Sequence, residues 1–361
     1  MICLLRWISL IVVTISASYS QGFWGNEFPE VRIKYAPEKY VCLKTTEKLK
    51  LDGKINEKDW ESAPWTNSFV DIEGDLKPKP YHDTKAKMLW DENYFYFAAV
   101  MEEPHVWAKL TERDAVIYKD NDFEIFLDPD GDTHNYYELE VNALGTEWDL
   151  LLLKPYHDDD KVVIDSWDIP GLITKVHVDG TLNDPSDEDR AWSVEVAIPW
   201  KAFISNYRSN TPPKDGEQWK VNFSRVHWET DIIDGDYVKK EAREFNWVWS
   251  PQGLIYMHMP EYWGLVQFSE VVSGNNKVSF NDTGLDQVKW ALRQVYINQR
   301  NYFFKNDRYT KSIGSLNLRK APAKGVPWPP SIVLTPSGWE ASLKWNDQKV
   351  IIRKDGKVWA E

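Results

Sequence analysis

From Leu49 to Phe268 the chain alternates apolar and polar residues in short runs separated by turn residues. Period-two alternation of this kind predicts half-buried β-strands. The runs AKMLWDEN, YFYFAAVM, DFEIFLD, YYELEVNA, EWDLLLLK, LITKVHV, AWSVEVAIP, QWKVNFSRVHW and EYWGLVQF read as strands. Between them lie turn signals: Asp52-Gly53, DENY, Asp130-Gly131, VDGTLNDPSDED, NTPPKDGE and IIDGD. About ten strands without a long helix predict an all-β antiparallel sandwich over residues 49–270. PWKAFISN reads as a single helical turn, and residues 21–48 as an extended lead-in.

The pattern changes after SEVVSGNNK. Leu285, Val288, Leu292, Val295, Tyr296, Tyr302 and Phe303 recur at helical spacing, which predicts an amphipathic helix from Gly284 to about Lys305, capped by Asp282 or Thr283. A proline-rich connector, APAKGVPWPP, leads to two last strand segments, SIVLTPSGWEASLKW and KVIIRKDGKVWA. Residues 283–361 therefore read as a small α+β domain.

Charge divides the chain at the same place. The net charge is −13, but Thr283 to Glu361 carries 14 Lys/Arg against 6 Asp/Glu, a local +8 that leaves −21 for the rest. So acidic a main domain repels phosphate polymers and argues against a nucleic-acid partner. Twenty tryptophans suit either a large β core or rings that stack on sugars. Residues 1–20 combine Arg6, an apolar run from Ile8 to Ile15, and the small residues Ser18 and Ser20 before Gln21. This is a signal-peptide pattern, and it predicts a secreted or periplasmic protein with no transmembrane segment after signal removal. Removal of Cys3 with the leader leaves Cys42 alone, so no intramolecular disulfide is expected.

The segment FEIFLDPDGDTHNYYELEVN, Phe123 to Asn142, holds six carboxylates and four aromatic rings. On a pleat, Phe123, Ile125 and Leu127 share a core face with Tyr137, Leu139 and Val141. Glu124, Phe126, Asp128, Tyr136, Glu138, Glu140 and Asn142 share the other. An EF-hand loop starting at Asp128 fails, because Thr133 and Leu139 stand where glycine and glutamate belong. Three readings stay open. Asp128, Asp130 and Asp132 form a structural calcium site or only a polar hairpin tip; Glu124 and Glu140 form a glycosidase pair; or the face binds a sugar through rings and polar side chains.

Four segments, LDGKINEKDWESAPW, AKMLWDENYFYFAAVMEEP, YKDNDFEIFLDPDGD and WSPQGLIYMHMPEYWGLVQF, together resemble the family-9 carbohydrate-binding modules. The resemblance covers about Lys50 to Phe268. It implies a β-sandwich, recognition of plant-type glycans such as xylan or cellulose, bound structural calcium, and association with glycoside hydrolases. It assigns Glu124 and Asn142 to ligand binding and Tyr118 to one wall of an aromatic clamp. Glu140 stands where the family carries a basic residue. The second clamp ring falls near Met257, and Trp249 and Tyr256 are the candidate rings beside it. A segment of the basic tail, ALRQVYINQRNYFFKNDRYTKSIGSL, resembles the helix-to-loop part of pilin-type domains; an amphipathic helix packed on the sandwich is the competing reading.

The histidines show no zinc spacing. His258, between Met257 and Met259, raises haem binding as an alternative, since related sandwiches hold haem through His or Met. Carbohydrate binding without catalysis is the leading expectation, with glycoside hydrolysis and haem binding as the rivals.

Overall fold

The computed structural model describes residues 27–158, 163–206, 211–275 and 277–361. The leader expected over residues 1–20 lies outside them. The first strands are β1 (Lys39–Lys44), β2 (Val70–Asp71), β3 (Thr84–Trp90), β4 (Tyr94–Glu102), β5 (Asp122–Asp128), β6 (Tyr136–Asn142), β7 (Glu147–Leu152) and β8 (Val163–Ile164). There follow β9 (Ile173–Asp179), β10 (Ala191–Pro199), β11 (Gln218–His227), β12 (Thr230–Ile233), β13 (Asp236–Lys239), β14 (Phe245–Val248) and β15 (Gly264–Val272). A short helix α1 (Lys58–Ser62) lies between β1 and β2.

One continuous sheet runs in the order β8-β7-β6-β5-β11-β15-β1-β3-β4-β10-β9, with β14 joining β11 to β2. It folds over on itself as a sandwich, and rings from its two halves meet inside: Phe97 of β4 lies 6.0 Å from Phe223 of β11, and Phe95 lies 5.9 Å from Trp219. Trp90, Trp192, Trp219 and Trp249 are buried in this core, so much of the tryptophan content is packing. β1 joins the halves. It pairs in parallel with β15 from Lys39 to Cys42 and with β3 through Leu43 and Lys44. The sequence reading placed these residues in a lead-in. The strand is short, and only Tyr40 and Cys42 alternate inward.

The LDGKINEKDW motif folds around a carboxylate that lies far along the chain. Glu195 of β10 accepts the backbone N–H groups of Asp52 (2.9 Å) and Gly53 (2.7 Å) and the indole N–H of Trp60 (2.7 Å). Gly53 has φ +89°, and a Cβ there would lie 2.6 Å from the Val176 carbonyl carbon. Only glycine fits that turn.

The C-terminal unit consists of α2 (Leu285–Asn306) and a four-stranded sheet, β16 (Ser331–Thr335), β17 (Gly338–Trp345), β18 (Gln348–Arg353) and β19 (Val358–Ala360). Each of the two segments expected as strands is a hairpin. Val288, Leu292, Val295 and Tyr296 of α2 pack on Trp339, Ala341, Val350 and Ile352. The N-cap is Gly284, at φ +70° and without a side-chain cap, rather than Asp282 or Thr283 as expected; those two side chains instead accept the backbone N–H groups of Gly284 (3.0 Å) and Leu285 (3.3 Å).

This unit is also joined to the sandwich. Arg293 places Nη2 3.1 Å from Glu261 Oε1, and Lys220 Nζ lies 2.7 Å from Asp286 Oδ1. The Val358 N–H donates to the Asp132 carbonyl at 3.1 Å. Among the described residues, no helix is long and apolar enough to cross a membrane.

Candidate functional site

Strands β5 and β6 pair with Glu124 opposite Glu140, Phe126 opposite Glu138, and Asp122 opposite Asn142. Phe123, Ile125, Leu127, Tyr137, Leu139 and Val141 enter the main core, as alternation requires. The opposite face is not open to water. A second apolar cluster, including Phe126, Tyr136, Leu150, Val248, Met257 and Trp263, covers much of it. Every residue of β5 and β6 is buried.

The remaining part of this face is the floor of a cleft of about 1390 Å³. Glu124, Glu138, Glu140, Trp148 and Leu150 line the floor, and Tyr118 and Glu244 stand at its side. The other walls bring Tyr156, Asp158 and Tyr256 together with Arg300 of α2 and Trp339 and Arg353 of the C-terminal sheet. The site therefore lies between the sandwich and the C-terminal unit. Its mixture of rings and acids suits a polyhydroxylated ligand: rings cover C–H faces, and carboxylates accept from hydroxyls.

The floor is strongly acidic. Burial pushes the Glu124 carboxyl up to about 7. Burial first, and then the Glu124 charge, holds Glu138 and Glu140 well above the usual carboxylate range. Asp122, beneath them, is raised for the same two reasons. The backbone N–H of Tyr118 donates to Glu140 Oε2 at 2.9 Å, which fixes that carboxylate. The arginines on the walls are paired with wall carboxylates rather than with the floor: Arg300 with Asp158 (3.2 Å), Arg353 with Asp355 (2.8 Å) and Arg243 with Glu244 (3.7 Å).

The residues singled out in the sequence divide. Tyr118, Glu124, Glu140 and Tyr256 line the cleft. Tyr118 is 40% exposed, so its ring is available to a ligand. Tyr256 is buried, and its hydroxyl accepts the His157 N–H at 3.1 Å. Asn142 and Trp249 do not reach the cleft. The Asn142 amide donates to the Leu110 carbonyl (2.8 Å) and accepts the N–H groups of Leu144 and Thr146, so it organises the β6–β7 turn. The indole of Trp249 faces inward beside Phe223 and Tyr40. It lies so close to Gly264 that a Cβ there would meet the ring at 2.4 Å.

Trp148, Tyr156, Asp158, Arg300 and Trp339 line the cleft and were not singled out. Alternation along β7 was a usable signal for Trp148, which lies opposite Glu140. The others depend on long-range packing.

Asp128, Asp130 and Asp132 do converge, with one carboxylate oxygen from each within 4.8 Å of the others. The set is of the hard type that suits calcium. Two lysines already answer its charge. Lys357 Nζ lies 2.6 Å from Asp132 Oδ2, and Lys289 donates to the carbonyls of Asp130 (3.1 Å) and Gly131 (2.9 Å). Both oxygens of Asp128 accept backbone N–H groups, from Gly131 and Thr133. His258 is enclosed by Phe126, Tyr136, Tyr156 and Tyr256, and its Nδ1 lies 3.0 Å from the Tyr136 hydroxyl.

The chain belongs to the family described as carbohydrate family 9 binding domain-like, which matches residues 51–269. A xylanase, endo-1,4-beta-xylanase C of Paenibacillus barcinonensis, is 32% identical over 88 residues; the match takes in 24% of this chain and 7% of the xylanase. A Bacteroides uniformis protein described as carbohydrate-binding has a crystal structure that is 17% identical, with TM-score 0.48, covering 65% of this chain and all of the other. A family 9 carbohydrate-binding module from Caldicellulosiruptor kristjanssonii, solved with cellotriose, is 17% identical with TM-score 0.40, over 68% of this chain and all of the module.

Proposed function

We propose that the cleft binds plant-type polysaccharide or oligosaccharide of the xylan or cellulose kind, and binds it without cleaving it. The observation that carries this reading is the floor itself. An exposed Tyr118 ring stands beside the inward-aimed carboxylates of Glu124 and Glu140, in a chain of the carbohydrate family 9 binding domain-like family. The short likeness to a xylanase supports the xylan side of that class. Glu124 and Glu140 are opposed on adjacent strands of one wall. A glycosidase pair must instead flank the scissile bond from two sides, so the geometry favours holding over hydrolysis.

In this reading the protein is exported, as the pattern of residues 1–20 suggests, and works beside glycoside hydrolases in carbohydrate catabolism. Isothermal calorimetry with cello- and xylo-oligosaccharides tests the binding, with Tyr118→Ala as the control. Saturable heat that weakens in the variant supports the reading, and no heat at millimolar sugar refutes it. Release of reducing sugar by the purified chain refutes the non-catalytic part.

A further inference from the structure

We propose that the cleft floor is also a binding site for a hard divalent cation, calcium or one of similar size, held by Asp122, Glu124 and Glu140. One carboxylate oxygen from each lies within 4.8 Å of the other two. The three come from paired strands, with Glu140 opposite Glu124 and Asp122 two residues before it on the same face. All are buried, with 0%, 4% and 2% of their surface exposed.

Acidic groups alone do not make a site. Here a second observation points to a ligand: among the described residues, Asp122 Oδ2, Glu124 Oε2 and the neighbouring Glu138 Oε2 receive no hydrogen bond, although each is sealed from solvent. Buried acceptors are almost always satisfied, and leaving one unsatisfied costs about 1–3 kcal/mol, more when it is charged. Among the described residues, no lysine or arginine forms an ion pair with Asp122, Glu124 or Glu138, and the wall arginines Arg243, Arg300 and Arg353 are paired with other carboxylates. The acidic loop at Asp128 to Asp132 shows the contrast, since Lys357 and Lys289 serve as its cations.

A small ion fits better than an ammonium group carried on a ligand. Glu124 and Glu140 line the cleft, but Asp122 does not. A bare ion passing between the two glutamates reaches all three. Several carboxylate oxygens at short range are what calcium takes, and its remaining positions would face the cleft.

The test needs no sugar, so it succeeds or fails independently of the glycan reading. The full chain is stripped with chelator and titrated with terbium, with tryptophan excitation; Trp148, opposite Glu140, is the sensitiser. Saturable terbium emission at one ion per chain, displaced by calcium, is expected. Glu140→Gln and Glu124→Gln should each weaken it by roughly tenfold or more, as loss of a charged ligand implies, while Asp130→Asn leaves it unchanged. Melting curves guard against misfolding. Without metal, Glu140→Gln should melt at or above the wild type, because the amide can still accept the Tyr118 N–H and never has to ionise among the neighbouring acids, and it should lose the rise that calcium gives the wild type. Emission unaffected by the glutamate variants, or abolished by Asp130→Asn alone, overturns the proposal.

Discussion

Arg293 of α2 and Glu261, just before β15, form an ion pair at 3.1 Å with both side chains almost wholly buried. Gly356, with φ +87°, brings its carbonyl to Arg293 Nη1 at 3.0 Å; a Cβ there would lie 2.6 Å from that nitrogen. The guanidinium thus ties sandwich, helix and last hairpin together. Removing one partner of a buried pair strands the other charge, at a cost of about 3–5 kcal/mol. Arg293→Ala is expected to lose that much in urea denaturation, and Glu261→Gln less.

The same pair bears on whether the C-terminal unit is separable. It has its own apolar core, but a chain ending after Ser273 leaves Glu261 and Asp158 without Arg293 and Arg300. Such a truncation is expected to melt well below the full chain and to bind a dye for exposed apolar surface. Equal melting temperatures would mark the unit as a passenger.

Sugar binding should depend on floor and rim together. Trp148→Ala and Tyr118→Ala are each expected to weaken binding roughly two- to tenfold through lost ring contact. Glu124→Ala should cost about 1.5–3 kcal/mol, roughly ten- to a hundredfold, as loss of a charged acceptor does. Calorimetry gives the affinities, and melting curves show whether the fold is intact.

Glu140→Arg places a cation among Asp122, Glu124 and Glu138. Its attraction to those groups replaces repulsion, so the variant is expected to be at least as stable as the wild type above neutral pH. Its glycan-array profile should differ from the wild type. An identical profile would remove Glu140 from the specificity determinants.

Stability should fall in acid through His258. Burial, with the nearby charge of His157 adding to it, pushes the ring from 6.5 to about 3. The unfolded chain therefore binds a proton that the folded chain refuses. The contribution of His258 is intact above about pH 6.5 and is lost as pH falls from there toward about 3, with a slope of at most ~1.4 kcal/mol per unit. The ring keeps some contact with the cleft, so the slope should lie below that limit. The difference in unfolding free energy between wild type and His258→Asn, followed across this window, isolates the effect from the floor carboxylates, which titrate in the opposite sense.

Much of the sandwich was legible because alternation reports burial directly. The core faces of β5 and β6 followed it, and Glu124 and Glu140 were expected on one face of neighbouring strands; that they stand directly opposite each other is a finding of the structure. Partners remote in sequence were not legible. The LDGKINEKDW motif was recognisable, yet the Glu195 that organises it lies 143 residues from Asp52. The family resemblance marked Asn142 as a ligand residue, and Trp249 was a candidate ring for its clamp. The close approach at Gly264 and the turn after β6 engage them instead. Period two on the outer face of β5 and β6 cannot show that a second layer, which brings in Ile72, Val248, Met257 and Trp263 from distant parts of the chain, covers much of it.

Strand β1 has a mechanical consequence. It lies parallel to β15 on one side and β3 on the other, and the chain leaves β15 toward α2. Tension between a point before Lys39 and a point beyond Val272 pulls the two parallel strands past each other, so the hydrogen bonds from Lys39 to Cys42 bear load together rather than opening one at a time.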